Sequence, residues 1–70
     1  MMYIIEKHDR VEIDTNTFTI EYWCGTNKNP FSKEKEDSMR YANKEVADGI
    51  ANTLRKEYPT SLIEVVEHNI

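Results

Sequence analysis

The sequence contains only one cysteine, Cys24, and its longest apolar run is the stretch at residues 1–5. A single cysteine excludes an intramolecular disulfide, so the fold depends on non-covalent contacts. That suits a reducing cytoplasm, or a domain that gains stability by association. Residues 1–5 are too few for a signal peptide or a membrane span, which predicts a cytoplasmic protein that does not contact the membrane.

Positive charge is also scarce, with nine Lys and Arg residues against thirteen Asp and Glu residues and a net charge of −4. This balance argues against general nucleic-acid binding, which relies on Lys and Arg to neutralise phosphates. The charged fraction of 31% accompanies 39% hydrophobic residues, which indicates a folded domain rather than disorder. The chain length predicts one domain, residues 1–70.

Motifs that carry chemistry are missing as well. His8, Cys24 and His68 are the only soft metal-ligand candidates, and they lack paired spacing, so we expect no metal and no cofactor. Trp23, Cys24 and Gly25 begin like a thioredoxin-type motif, but the proline and the second cysteine do not follow. Cys24 is therefore interpreted as a small core residue. Without a phosphate loop or a nucleophile elbow, we expect no catalytic residue and no enzyme activity.

Residues 43–58 predict an amphipathic helix. Asn43 suits the N-cap position, and Pro59 ends the helix because the residue before a proline leaves the helical region. Gly49 borders the apolar stripe, which indicates a close approach of the helix to a sheet; the alternative is a ligand or partner that touches the backbone there. The residues of that stripe recur at four-residue spacing: Val46, Ile50, Leu54 and Tyr58.

Strand-like segments lie on both sides of this helix. Residues 2–6 and 11–13 form either one long strand with a bulge near residues 7–10 or a short strand followed by a hairpin arm, and a turn is predicted at residues 14–16. Residues 17–24 are the clearest strand, and residues 61–68 the last. We expect Phe18, Ile20, Tyr22 and Cys24 to share one side of their strand, and Thr17, Thr19, Glu21 and Trp23 the other.

Residues 39–41 are a possible short strand, with Met39 and Tyr41 facing inward. The resulting order, ββ(β)αβ, predicts a small α+β fold. Its mostly antiparallel sheet of three or four strands would carry the helix on one face.

With only one helix, the other face of this sheet is expected to stay uncovered. An apolar patch around a tryptophan, ringed by acids, is typical of an interface. The alternative is that Trp23 folds over the sheet edge or under the 25–38 loop. The expected members of the face are Ile4, Glu6, Thr19, Glu21, Trp23, Leu62, Glu64 and Val66.

The 25–38 loop is a second candidate binding surface. It combines basic residues with one aromatic, as a contact with nucleic acid or with an acidic protein requires: Lys28, Phe31, Lys33 and Lys35. The neighbouring acids Glu34, Glu36 and Asp37 largely cancel this charge, which favours a solvated loop.

Residues 39–47, the helix as far as Leu54, and residues 59–67 resemble small phage-encoded proteins. Those proteins have a hairpin that ends in an aromatic, then a capped helix and a closing strand. Here Tyr22 and Trp23 occupy the place of the aromatic. The resemblance implies a stoichiometric inhibitor of host machinery, such as an anti-CRISPR or other anti-defence protein, and it carries over no functional residues.

The leading hypothesis is a non-enzymatic protein-binding module that docks its sheet face or its loop on a host protein. If that host protein binds nucleic acid, the acids of the sheet face could occupy its phosphate sites. A homodimer that buries the sheet face or pairs edge strands is the structural alternative. A small-molecule or nucleotide-binding protein with a pocket between helix and loop is a third class.

Overall fold

A computed structural model describes residues 1–12, 17–26 and 28–68, without the side chains of residues 11 and 12. Its elements are β1 (Met2–Glu12), β2 (Thr17–Trp23), β3 (Phe31–Ser32), a short 3₁₀ helix (Lys35–Asp37), α1 (Lys44–Glu57) and β4 (Leu62–His68). The sheet has the order β3-β2-β1-β4 with antiparallel pairing throughout. The predicted α+β fold is confirmed. No helix in the described ranges is long and apolar enough to cross a membrane.

The helix α1 has the predicted ends. The Asn43 side chain accepts a hydrogen bond from the Glu45 N–H at 2.8 Å and so serves as the N-cap. The chain leaves the helical conformation at Tyr58, directly before Pro59, as a proline at that position requires.

The buried stripe of α1 is rotated relative to the expected one. Its buried residues are Ala47, Ala51 and Leu54, whereas Val46 is 49% exposed. The placement of Val46 in the stripe was therefore wrong. Gly49 is exposed, and a Cβ built on it meets nothing within 4 Å, so the predicted close approach to the sheet was also wrong.

The first strand resolves an alternative that the sequence left open. β1 is one continuous strand, and its register against β2 shifts between Arg10 and Glu12. The single strand is confirmed, but its irregularity follows Arg10 instead of lying within residues 7–10. Ile13 and the turn predicted at residues 14–16 lie outside the described residues.

The core lies between α1 and the neighbouring strands β1 and β4. Ile5 is fully buried, lies opposite Val65, and packs with Ala51, Leu54 and Ile63. Ile63 and Val65 face the helix as predicted, because alternate residues of a strand point to the same side.

The side chains of β2 face the opposite way from the expectation. Glu21 lies opposite Lys7, and Trp23 packs against the core cluster, so Thr19, Glu21 and Trp23 share the helix side of the sheet. Their predicted place on the outer face was wrong. The reason is the register of the hairpin. As far as Arg10, it pairs the odd-numbered residues of β2 with the odd-numbered residues of β1, which face α1.

After β2 the chain forms β3 at the outer edge of β2, and Tyr41 then returns to the edge of β1 that β2 occupies. Tyr22 lies opposite Glu6, and Tyr41 lies opposite Tyr3, where the two tyrosines exchange backbone hydrogen bonds of 2.7 and 2.8 Å. Tyr41 packs against the core as predicted. Met39 is 45% exposed, so its predicted inward position was wrong, and the short third strand is Phe31–Ser32 instead of residues 39–41.

Candidate protein-binding face

The side of the sheet away from α1 is here called the open face. It is formed by the even-numbered side chains of β1 as far as Arg10, of β2 and of β4, because the odd-numbered ones pack toward the helix. Its central members are Ile4, Glu6, His8, Arg10, Phe18, Ile20, Tyr22, Leu62, Glu64 and Val66.

A row of three side chains crosses the open face. His8 lies opposite Ile20 on one neighbouring strand and opposite Leu62 on the other, so the three are in register. Ile20 is 41% exposed and Leu62 is 56% exposed. Since neighbouring strands lie about 4.8 Å apart, this row presents two aliphatic side chains about 10 Å apart with an imidazole between them.

Phe18 extends this apolar surface toward one end of the hairpin. It is 49% exposed, and it lies opposite Arg10, whose guanidinium carbon is 5.4 Å from the centre of the ring. A guanidinium above an aromatic ring is held by the ring's negative face. The contact fixes Phe18 beside Ile20 and leaves the apolar surface bordered by a positive charge.

Two carboxylates face each other in the next row. Glu6 lies directly opposite Glu64, and the Glu6 Oε1 atom lies 3.0 Å from the His8 Nε2 atom. Glu64 is exposed and has no ion-pair partner among the described residues. Like charges directly opposite on a sheet are destabilising, by a few tenths of a kcal/mol up to about 1 kcal/mol. This pair is therefore unfavourable for the isolated fold.

Five residues of the open face coincide with those predicted from the sequence, and their accessibilities differ. Glu6, Leu62, Glu64 and Val66 lie on this face with at least part of the side chain accessible. Ile4 lies there too but is fully buried, so it offers no contact surface.

The open face also contains residues that the sequence pattern did not place there: His8, Arg10, Phe18, Ile20 and Tyr22. Phe18, Ile20 and Tyr22 had been placed inward because they are the apolar set of β2. Only the pairing of β2 with β1 reverses that assignment.

Glu21 belongs to a charged cluster on the helix side instead. Lys7 bonds to Asp9 and lies 3.3 Å from Glu21, and Ser61 donates a hydrogen bond to Asp9. Burial acts against the charged form of Lys7, but these hydrogen bonds raise its pKa above the usual 10.5. Hydrogen bonds from Lys7 and Ser61 lower the pKa of Asp9 below 3.8. The negative charge of Glu21 is thus compensated by Lys7 on the helix side of the sheet.

Trp23 is the first member of an aromatic series on the same side. Its ring centre lies 5.6 Å from that of Phe31, which lies 5.3 Å from that of Tyr58, both in edge-to-face geometry. The indole N–H donates to the Tyr41 hydroxyl at 2.9 Å. These contacts give Trp23 structural partners within the fold.

The loop predicted as a second binding surface does not present its aromatic side chain beside its lysines. Lys28, Lys33 and Lys35 are exposed, but Phe31 turns inward, between Trp23 and Tyr58. The Lys7 ammonium lies 5.1 Å from the centre of the Phe31 ring. The exposed lysines of this loop are therefore not accompanied by the exposed aromatic side chain that the sequence predicted.

A cleft of about 520 Å³ opens beside this loop, lined by Cys24, Thr26, Asn29, Phe31, Ser32 and Asp37. Ser32 donates to the Asp37 carboxylate at 2.8 Å. Burial, together with the charge of Asp37, raises the pKa of the Cys24 thiol, which disfavours the nucleophilic thiolate. Within the described residues, no three His, Cys, Asp or Glu side chains cluster closely enough to hold a metal ion.

No family model, curated protein or solved structure matches this chain.

Proposed function

We propose that this chain is a non-enzymatic protein-binding module that docks through the open face. The row Ile20–His8–Leu62, with Phe18 beside it, carries the proposal, because it exposes three large apolar side chains on one sheet surface. Contiguous apolar surface of this kind, bordered by charged groups, is characteristic of protein interfaces.

The opposed carboxylates indicate the chemistry of the partner. Glu64 lacks a cation within the described residues, and it lies across from Glu6, whose own partner is His8. A lysine or arginine from another protein would relieve the repulsion of this pair while its apolar neighbours cover Ile20 and Leu62. The module therefore fits a surface that presents a basic side chain next to an aliphatic or aromatic one.

The proposal extends to a phage or mobile-element protein that inhibits or modulates a host protein, in the manner of anti-defence and anti-CRISPR proteins. Its support is the resemblance of residues 39–54 and 59–67, with the aromatic pair Tyr22 and Trp23, to small phage-encoded proteins. A nucleic-acid-binding enzyme is the kind of host protein whose basic site would suit Glu6 and Glu64. Glu21 has no part in this recognition, because Lys7 neutralises it on the other side of the sheet.

The test uses a protein captured by the immobilised chain from host lysate, purified and titrated against three variants. Leu62→Arg should weaken its binding by at least about tenfold, because a charge replaces an apolar contact facing a basic partner. Val46→Arg is the matched control, since Val46 is 49% exposed on the helix, and it should leave the affinity unchanged.

Glu64→Lys separates recognition from stability. It replaces a repulsive pair by an attractive one across β1 and β4, so it should stabilise the fold by about 0.5 kcal/mol. The same substitution should weaken binding to a basic partner. A captured protein that binds Leu62→Arg and Glu64→Lys as tightly as the parent chain contradicts the proposal.

A further inference from the structure

Among the described residues, no strand pairs with the outer edge of β4. β4 has β1 on one side and stands last in the sheet order. Tyr3 and Tyr41 exchange both backbone hydrogen bonds, so the N–H and C=O groups of Tyr3 point away from β4. Successive residues of a strand direct these groups to opposite edges, so those of Ile4 point toward β4. Since Ile4 pairs with Val66, the even-numbered residues of β4 bond to β1, and Ile63, Val65 and Glu67 direct their N–H and C=O groups outward.

A side-chain contact confirms this direction and covers part of the edge. The Arg55 guanidinium donates from Nε and Nη2 to the Ile63 carbonyl oxygen, at 3.2 and 2.8 Å. The backbone groups of Val65 and Glu67 have no such donor or acceptor within the described chain. An exposed edge with free N–H and C=O groups is a template for pairing with another strand.

We propose that this edge pairs with the same edge of a second copy, antiparallel and centred on Val65, and that Arg55 restrains the pairing. In this register all residues of β4 overlap, Val65 faces Val65, and Ile63 faces Glu67. On the open face, Leu62 faces His68 and Glu64 faces Val66. No like charges lie directly opposite, whereas a shift that centres the pair on Glu64 would oppose two carboxylates.

The geometry of this pairing has a consequence for the open face. The two-fold axis of an antiparallel edge pair runs perpendicular to the sheet, so both helices lie on one side and both open faces on the other. The sheet becomes continuous, and Leu62 of one copy meets His68 of the other. The pairing itself does not depend on the open face having a partner.

Sedimentation from micromolar to millimolar concentration tests the inference on the full chain. The parent protein should dimerise, and Glu67→Pro should weaken the dimer at least about tenfold. Proline removes an N–H that points outward, so the single-copy fold loses no hydrogen bond, whereas the dimer loses one to Ile63 at each end. Glu67→Ala is the matched control, because it removes the same side chain and keeps the N–H.

Circular dichroism of dilute Glu67→Pro must match that of Glu67→Ala, which separates loss of pairing from loss of fold. If Glu67→Pro is unfolded, a spin label attached through Leu62→Cys in a Cys24→Ser background provides the test instead. In the paired dimer, the two labelled positions should lie about 20 Å apart. Arg55→Met should tighten the dimer several-fold by freeing the Ile63 carbonyl. A strictly monomeric parent chain overturns the pairing. A Glu67→Pro variant that dimerises as tightly as Glu67→Ala also overturns it. An Arg55→Met variant that dimerises no more tightly than the parent overturns the restraint by Arg55.

Discussion

Lys7 lies directly across the β1–β2 ladder from Glu21, with its ammonium nitrogen 3.3 Å from the carboxylate and 5.1 Å from the centre of the Phe31 ring. Only 12% of the Lys7 side chain is exposed, and Asp9 is its second acidic partner. A lysine on the helix side of a sheet is stable there because two carboxylates and two aromatic rings surround its charge.

Lys7→Met should therefore destabilise the protein by about 1–3 kcal/mol, between the values for exposed and buried ion pairs. Methionine keeps the apolar stem, but Asp9 and Glu21 lose the charge that compensates both of them. In a chain of this size, thermal unfolding should shift down by several degrees per kcal/mol.

A triple variant, Lys7→Met with Asp9→Asn and Glu21→Gln, distinguishes charge from packing. It should recover most of the lost stability, because no charge is then left uncompensated. Lys28→Met at an exposed loop position should have little effect. Equal losses in the single and triple variants would assign the effect of Lys7 to packing.

Asp9 gives this cluster a defined pH dependence. The pKa of Asp9 is lowered below its usual 3.8, so its contribution to stability is present above that value and is lost as the pH falls through the folded-state pKa. The pKa of Lys7 is raised above 10.5, so its contribution persists below that value and is lost only at higher pH. The pair should contribute a constant amount between about pH 5 and pH 10.

The corresponding measurement is thermal unfolding of the parent chain and of Asp9→Asn from neutral to acidic pH. Asp9→Asn should be less stable at neutral pH. The gap should begin to close below about pH 4, where Asp9 becomes protonated in the unfolded chain, and should be lost once the pH has fallen through the lowered pKa of Asp9 in the folded parent. A gap of constant size down to the most acidic condition would show that Asp9 does not titrate with a lowered pKa.

The glycines offer a matched pair of substitutions with opposite signs. Gly49 lies inside α1 with nothing within 4 Å of an added Cβ, so Gly49→Ala should stabilise the protein by about 0.5–1 kcal/mol. Gly25 has φ of 80°, and an added Cβ would lie 3.2 Å from Met39 Cγ. Gly25→Ala should destabilise the protein by about 1 kcal/mol or more.

Urea unfolding of both variants, followed by circular dichroism, checks the two signs together. A destabilised Gly49→Ala variant would mean that another group packs against the exposed face of α1 at that point. A neutral Gly25→Ala variant would mean that residues 24–26 adopt another backbone conformation at little cost.

The sequence predicted the elements well because each has a local cause. The Asn43 cap, the stop at Pro59 and the alternation in residues 17–24 are short-range signals, and all three agree with the structure. The α+β class follows from the order of these elements. Local signals of this kind do not depend on how distant segments meet.

The composition of the open face could not be predicted, because it depends on register. Alternation showed that Phe18 and Ile20 share a side of β2, but only the pairing of Glu21 with Lys7 decides which side faces α1. The apolar character of Phe18 and Ile20 favoured the wrong answer. Their exposure, together with that of Leu62, is what distinguishes this surface from an ordinary solvated strand face.

Trp23 provides the test of this reassignment. If it is a core residue, Trp23→Phe should destabilise the fold by about 1–2 kcal/mol, because the ring becomes smaller and the bond to Tyr41 is lost. Trp23→Ala should cost about 3–5 kcal/mol, enough to unfold much of a domain of this size. Both losses are measurable by urea unfolding with circular dichroism.

Tyr41→Phe is the matched control for the hydrogen bond, because it removes the same hydroxyl from the other side. Combining it with Trp23→Phe should cost less than the sum of the two single changes, since the bond can be lost only once. Affinity for a captured partner should be unchanged by Trp23→Phe and reduced by Leu62→Arg. The reverse result would place recognition on the helix side of the sheet, where the two charges of Lys7 and Glu21 already satisfy each other.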